Sequence, residues 1–131
     1  AAILKQEGKV LIAQRPKGDK LAGKWELPGG KVEAGETAEQ CLCREMQEEL
    51  NIQVQVQGFF ASSDYHYENG SIRLLAYWAK LTGGEPIPLV HSQIRWAEPE
   101  HLLQFDFAPA DIPIIEMLVN QQLERGNGKD E

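Results

Sequence analysis

Hydrophobic and polar positions along this 131-residue chain repeat at two different periods, and the changes of period mark out its elements. Residues 1–4 and 9–15 are short apolar runs separated by Gln6-Glu7-Gly8, which predicts two strands joined by a turn. From residue 15 to 30 the period is lost. Pro16, Gly18, Gly23, Pro28 and the Gly29-Gly30 pair interrupt it, predicting a loop. Ala38, Leu42, Met46 and Leu50 then recur every four residues, the apolar stripe of a helix. Thr37 stands at the N-cap position of that helix, and Gln40 three residues later completes a capping box.

Ile52, Val54 and Val56 alternate with Gln53, Gln55 and Gln57, the pattern of a half-buried strand. Residues 72–81, with Tyr77 and Trp78, predict the strongest later strand. Gly83-Gly84, Pro86 and Pro88 form a connection to a brief strand at 94–97, and 99–104 suggests a short helix. A second amphipathic helix, opening at Pro109 or Asp111, carries Ile114, Ile115, Leu118, Val119 and Leu123. Residues 124–131 are polar and glycine-bearing, the composition of a frayed tail. There is no internal repeat and no linker. Strands interleaved with two main helices predict one domain of the α/β (α+β) class, a sandwich around a mixed sheet.

Composition narrows the function. Hydrophobic content of 42% and charged content of 25% are ordinary for a globular domain. A net charge of −7 argues against a sequence-independent grip on nucleic acid, which needs a basic stripe. A polyphosphate could still bind where a local cation reverses the field. No run of about 18 apolar residues is present to span a membrane, and no signal-peptide pattern appears. The chain opens without an initiator Met on an apolar run, so residues upstream are expected. Cys41 and Cys43 lie two apart on the predicted helix and point to different faces, so they cannot pair there. Free thiols fit a reducing compartment such as the cytoplasm, with both side chains packed as small core or surface residues.

The chemistry concentrates in residues 30–52. Glu45, Glu48 and Glu49 lie within five helical residues, behind a glycine-rich loop carrying Glu33 and Glu36. Carboxylates about 6 Å apart repel by roughly 3 kcal/mol at an effective dielectric of 20, and by well under 1 in bulk water. Glu45 and Glu49 fall beside the apolar stripe and not across from it, which favours a partly buried acid cluster. Such a cluster calls for a hard divalent cation held by oxygen ligands.

This segment resembles the signature of the Nudix hydrolases, G-x5-E-x7-R-E-U-x-E-E-x-G-U with U bulky and aliphatic. Gly30, Glu36, Arg44, Glu45, Met46, Glu48, Glu49 and Ile52 match it, and Asn51 stands where the family has glycine. Chance would produce eight such matches on the order of once in 10^8 start positions. Asn is a mild departure, because it tolerates the left-handed conformation of a helix end. The flanking run 24–30 and the stretch 108–113 resemble the MutT group of that family.

The resemblance implies a Nudix-type α/β/α fold. It also implies a metal-dependent hydrolase that takes a nucleoside triphosphate to its monophosphate and diphosphate, clearing oxidised or otherwise non-standard nucleotides (8-oxo-dGTP or CTP type). By the same resemblance the carbonyl of Gly30 and the side chains of Glu45, Glu48 and Glu49 hold Mg²⁺ or Mn²⁺. Glu45 or its neighbour accepts the proton of the attacking water, and Arg44 orients the carboxylates. Arg15 is expected at phosphate, while Leu27 and Tyr67 line the base pocket. Asp111 is expected at the base edge, where the group has an asparagine; capping the second helix is its alternative role. An ionised aspartate only accepts hydrogen bonds, unlike an amide. A further loop glutamate of the MutT group falls on Val90, with Glu85 and Glu98 out of register. His66, His91 and His101 show no ligand spacing and read as structural or surface residues. Partners other than the nucleotide are not expected: no membrane, no stable nucleic acid, and a monomer or homodimer. Two other readings stand beside this one: a Nudix hydrolase of ADP-ribose or another X-linked nucleoside diphosphate, and a non-catalytic nucleotide-binding domain.

Overall fold

Alternating side chains on two neighbouring strands divide the core in two. In β1 (Ala2–Gln6) Ile3 points to one face of the sheet, and Ala2 and Leu4 to the other. In β2 (Lys9–Gln14) Val10 and Ile12 join Ile3, while Leu11 joins Leu4. Both faces are therefore apolar, and each needs a helix to cover it. The computed structural model describes residues 1–68 and 70–129, with side chains as far as residue 122. The helix α1 (Ala38–Leu50) closes one face with Leu42, Met46 and Leu50. The helix α2 (Ile112–Lys129) closes the other with Ile114, Ile115, Leu118 and Val119. The result is the expected α/β/α sandwich with two main helices.

The sheet is mixed. β1 runs parallel to β5 (Gly70–Gly83) and antiparallel to β2. Pairing gives the order β3 (Trp25–Glu26), β2, β1, β5, β4 (Gln53–Tyr67), with β6 (Gln93–Ala97) also on β2. The β1–β2 hairpin closes through Glu7-Gly8, both at positive φ (52° and 79°), the turn whose twist matches its strands. Both caps of α1 follow the sequence. Thr37 and Gln40 form the capping box, and Asn51 closes the helix in the left-handed conformation at φ 55°, ψ 40°.

Several sequence-based boundaries need correction. The expected loop at 15–30 contains β3 (Trp25–Glu26), which pairs with β2. Its backbone is held from far along the chain: Trp25 N–H donates to Asp106 at 2.9 Å, and Ala108 N–H donates to Trp25 at 2.8 Å. A two-residue strand made by such partners has no local period to betray it. β1 continues to Gln6, and β2 stops at Gln14. The strand expected at 52–56 is β4 (Gln53–Tyr67), and β5 starts at Gly70 instead of residue 72. Register shifts at Val56/Gly58 and Phe59/Ala61 break the alternation, and the far half of β4 is polar. The short helix at 99–104 is a 3₁₀ turn (Pro99–Gln104) whose Leu102 is buried with the α2 cluster. α2 begins at Ile112 and continues to Lys129, so the expected tail is helical that far. Asp130 and Glu131 lie outside the described residues. Among the described residues no helix is long and apolar enough to cross a membrane.

Candidate active site

The helix period places four charged side chains of α1 on two flanks. On one flank Arg44 is a hub. Its Nε and Nη2 donate to Glu36 at 3.1 and 2.7 Å, and its Nη1 donates to Glu45 at 2.7 Å and to Glu48 at 3.2 Å. Its Nη2 also donates to the carbonyl of Lys31 at 3.2 Å, tying the glycine-rich loop to the helix. The forked, always-charged guanidinium suits this task. Its hydrogen bonds hold the Glu36 carboxyl down to about 2.

On the other flank Glu49 turns into a cleft of about 750 Å³. It is half-buried, and its Oε1 is sealed from solvent with no hydrogen-bond partner. Burial pushes its carboxyl up to about 7, against the pull of nearby His91. The three helix glutamates are thus divided between the two flanks. Glu48 is 58% exposed, and neither it nor Glu45 lines the cleft. Glu45 instead borders the loop at Gly30, where any β-carbon would run into its carboxylate.

The other expected residues do meet in the cleft: Arg15, Leu27, Gly30, Tyr67 and Asp111 all line it. Arg15 is engaged there, donating to Asp19 at 2.7 Å and to Glu26 at 2.8 Å. Asp111 is buried, and its Oδ2 accepts the Leu27 N–H at 3.0 Å. Among the described residues the carboxylate makes no hydrogen bond to an amide of α2; the backbone carbonyl of Asp111 accepts from Ile115 N–H at 3.0 Å and opens the helix. Burial pushes the Asp111 carboxyl up to about 7 despite the Leu27 hydrogen bond. Val90, at the position of the loop glutamate, lines the cleft and offers no ligand atom.

Two residues of the cleft were not singled out from sequence. His91, read there as structural, is buried in the cleft, and its Nε2 lies 2.9 Å from Glu26 Oε2. Glu26 therefore bridges Arg15 and His91. No spacing pattern could reveal a pair 65 residues apart. His66 is exposed on β4. His101 corrects the expectation in another way: the 3₁₀ turn gathers it with Glu98 and Glu100, their ligand atoms within 4.8 Å. All three are exposed and none lines the cleft, so solvent suffices for them. Cys41 is buried, with its thiol 3.7 Å from the Gly30 carbonyl, and Cys43 is exposed; both are free, as expected.

The donors around Glu49 fit a hard divalent cation. Glu49, with its orphaned buried oxygen, lines the same cleft as Gly30, whose missing β-carbon admits the Glu45 carboxylate. An α/β/α sandwich with helix carboxylates beside a glycine-rich loop and a cleft is the architecture that the Nudix resemblance implies, that of hydrolases acting on phosphoanhydrides. The chain belongs to the Nudix family, matching the NUDIX domain over residues 1–118. It is similar to the CTP pyrophosphohydrolase of Escherichia coli, with 41% identity over 116 residues, 88% of this chain and 86% of the relative. It is also similar to the 8-oxo-dGTP diphosphatase of that organism, at 34% identity covering 88% and 90%. The solution structure of the E. coli ORF135 protein superposes with a TM-score of 0.81 at 37% identity, over 95% of this chain and 89% of that one. Nudix hydrolases generally use a divalent metal, and this chain is a MutT-like member.

Proposed function

We propose that this chain hydrolyses nucleoside triphosphates to the monophosphate and diphosphate, with oxidised or other non-standard nucleotides as its targets. The observation that carries this reading is a single cleft with Glu49 and Gly30 at its acidic border and the buried Asp111–Leu27 contact in its wall. The relatives named for CTP and 8-oxo-dGTP support the same substrate class.

In this reading Gly30, Glu45, Glu48 and Glu49 hold Mg²⁺ or Mn²⁺, which supplies shielding of phosphate charge and activation of water. Arg44 keeps Glu45 and Glu48 oriented. Glu45 has Oε1 engaged by Arg44 and keeps Oε2 for the proton of the attacking water. Arg15 exchanges one of its carboxylate partners for phosphate, and Leu27 and Tyr67 flank the base. Asp111, with its carboxyl near 7, presents an O–H or a lone pair to the base edge, so it accepts wider base chemistry than an ionised carboxylate. One chain contains all of these groups, so a monomer or a homodimer serves equally. The two free thiols support a reducing compartment such as the cytoplasm.

The test is a panel of CTP, dCTP, dGTP, 8-oxo-dGTP and ADP-ribose with Mg²⁺, scored for monophosphate and diphosphate. A triphosphate is expected to be the best substrate, with turnover stopped by a chelator. Preferred cleavage of ADP-ribose, or binding without turnover, would sink the proposal.

A further inference from the structure

The connection between β5 and β6 is docked on the last turn of α1. Ile87 N–H donates to the Leu50 carbonyl and Leu89 N–H to the Glu49 carbonyl, each at 3.0 Å. These bonds satisfy carbonyls that a helix end leaves open. They also deliver the next residues, Val90 and His91, into the cleft beside Glu49.

The His91 side chain is 2% exposed. Its Nε2 lies 2.9 Å from Glu26 Oε2; in the tautomer with its hydrogen on Nε2 that contact is a hydrogen bond and the lone pair of the ring lies on Nδ1. That Nδ1 is buried without a partner, and so is Glu49 Oε1; among the described residues these two are the orphaned buried side-chain atoms. Buried polar atoms left without a partner are costly, and in that tautomer both are acceptors. A cation held between them would satisfy both. A carboxylate behind an imidazole is also the arrangement that orients histidine toward a metal.

We propose that His91, held by Glu26, is a nitrogen ligand beside Glu49 and makes this metal site favour first-row transition cations, Mn²⁺ among them, over Mg²⁺. A nitrogen ligand strengthens binding of first-row transition cations, Mn²⁺ least among them, whereas Mg²⁺ keeps to oxygen. Val90 leaves that side of the cleft without a carboxylate, so the nitrogen decides the preference. Glu26 is a positioning residue that acts through the ring. The proposal rests on the reading that α1 carries the metal.

Direct Mn²⁺ binding, followed by the free-ion EPR signal, and Mg²⁺ binding by competition test it. His91→Gln is expected to weaken Mn²⁺ at least tenfold and Mg²⁺ less than about twofold. Glu26→Gln is expected to weaken Mn²⁺ about tenfold, the scale of an outer partner's loss. A Mn²⁺ affinity unchanged within twofold in His91→Gln, or an equal loss of both ions, overturns the proposal. Glu49→Gln separates the two failures. If it abolishes Mn²⁺ binding and His91→Gln does not, only the histidine assignment falls; if neither does, the metal reading of α1 falls with it. The unsubstituted protein gives a check free of folding artefacts. In its ¹⁵N imidazole spectrum Zn²⁺ must shift Nδ1 of His91, assigned apart from His101, and an unmoved Nδ1 overturns the ligand role.

Discussion

On the flank of α1 that faces the glycine-rich loop, Arg44 reaches Glu36, Glu45 and Glu48 with hydrogen bonds of 2.7–3.2 Å. One residue beyond, Glu49 enters the cleft and meets no donor at Oε1. The same side-chain chemistry is held at about 2 in Glu36 and pushed up to about 7 in Glu49. Counting acidic residues therefore does not locate a reactive site; the balance between burial and pairing does. The paired flank has a counter-charge within the protein, Arg44. The unpaired flank is left for something that the protein must bind.

The largest expected effect contrasts the two flanks directly. Glu49→Gln and Glu45→Gln should each lower kcat by about 10³ or more, since several kcal/mol of transition-state charge stabilisation is lost with the cation. Their stabilities should move in opposite directions. Glu49→Gln removes a buried charge without a partner and should raise the urea midpoint measured without divalent ions. Glu45→Gln weakens a partner of Arg44 and should lower it slightly. If both variants lose stability, Glu49 is paired in solution and the contrast fails.

Acid titration sharpens the same contrast. Asp111 has a folded value of about 7 against 3.8 when unperturbed, with Glu26 adding to the rise and Arg15 and the Ala1 amine opposing it. The native state keeps a proton that the unfolded chain releases. The contribution is thus complete below about pH 4 and is lost as pH climbs through about 7. Glu49 acts in the same sense. Glu36 acts in the other: its contribution is present above about 4.5 and fades as pH falls toward 2. Between pH 5 and 8 the unpaired groups should therefore dominate. Stability should drop by on the order of 3 kcal/mol more in the unsubstituted protein than in Asp111→Asn. Parallel urea midpoints for the two proteins would mean that Asp111 is ionised throughout.

Arg44→Ala attacks the paired flank. Its side chain is 25% exposed and reaches three carboxylates, so a lower urea midpoint is expected. Mg²⁺ should recover part of the loss, because Glu45 and Glu48 would then lack their internal counter-ion. A thermal midpoint that does not respond to Mg²⁺ would show that these carboxylates never sense the ion.

Much of this was legible in the sequence, for a physical reason. The helix period of Leu42, Met46 and Leu50, the Thr37–Gln40 box and the left-handed tolerance of Asn51 are short-range properties, so α1 could be drawn with its ends. The orienting role of Arg44 came from the family resemblance, and the carboxylates that it contacts lie on the same helix or on the loop before it. The cleft could be populated by resemblance but not wired. Asp111 takes its meaning from an amide 84 residues away, and His91 from a carboxylate 65 residues away. β3 and the far half of β4 escaped for the same reason, since their partners are distant and their own residues lack a period. The splitting of the glutamates between two flanks also depends on depth of burial, which spacing alone does not encode.

The smallest effect concerns how the unpaired flank is kept in place. Asn51 ends α1 at φ 55°, ψ 40°, and its carbonyl sits against Gly84, where an added β-carbon would come within 2.8 Å of that oxygen. The turn therefore fixes where the connection meets the helix, and with it Leu89 on Glu49 and His91 in the cleft. A left-handed residue with a β-carbon costs about 1–2 kcal/mol unless it is Gly or, less freely, Asn. Asn51→Ala should accordingly lose about 1 kcal/mol, while Asn51→Gly stays within about 0.5. Hydrogen exchange at the Ile87 and Leu89 amides reads the local consequence: faster in Asn51→Ala, unchanged in Asn51→Gly. If the alanine variant destabilises the fold but leaves both amides protected, the connection is held by its other contacts. Asn51 would then matter to the helix alone and not to the position of His91.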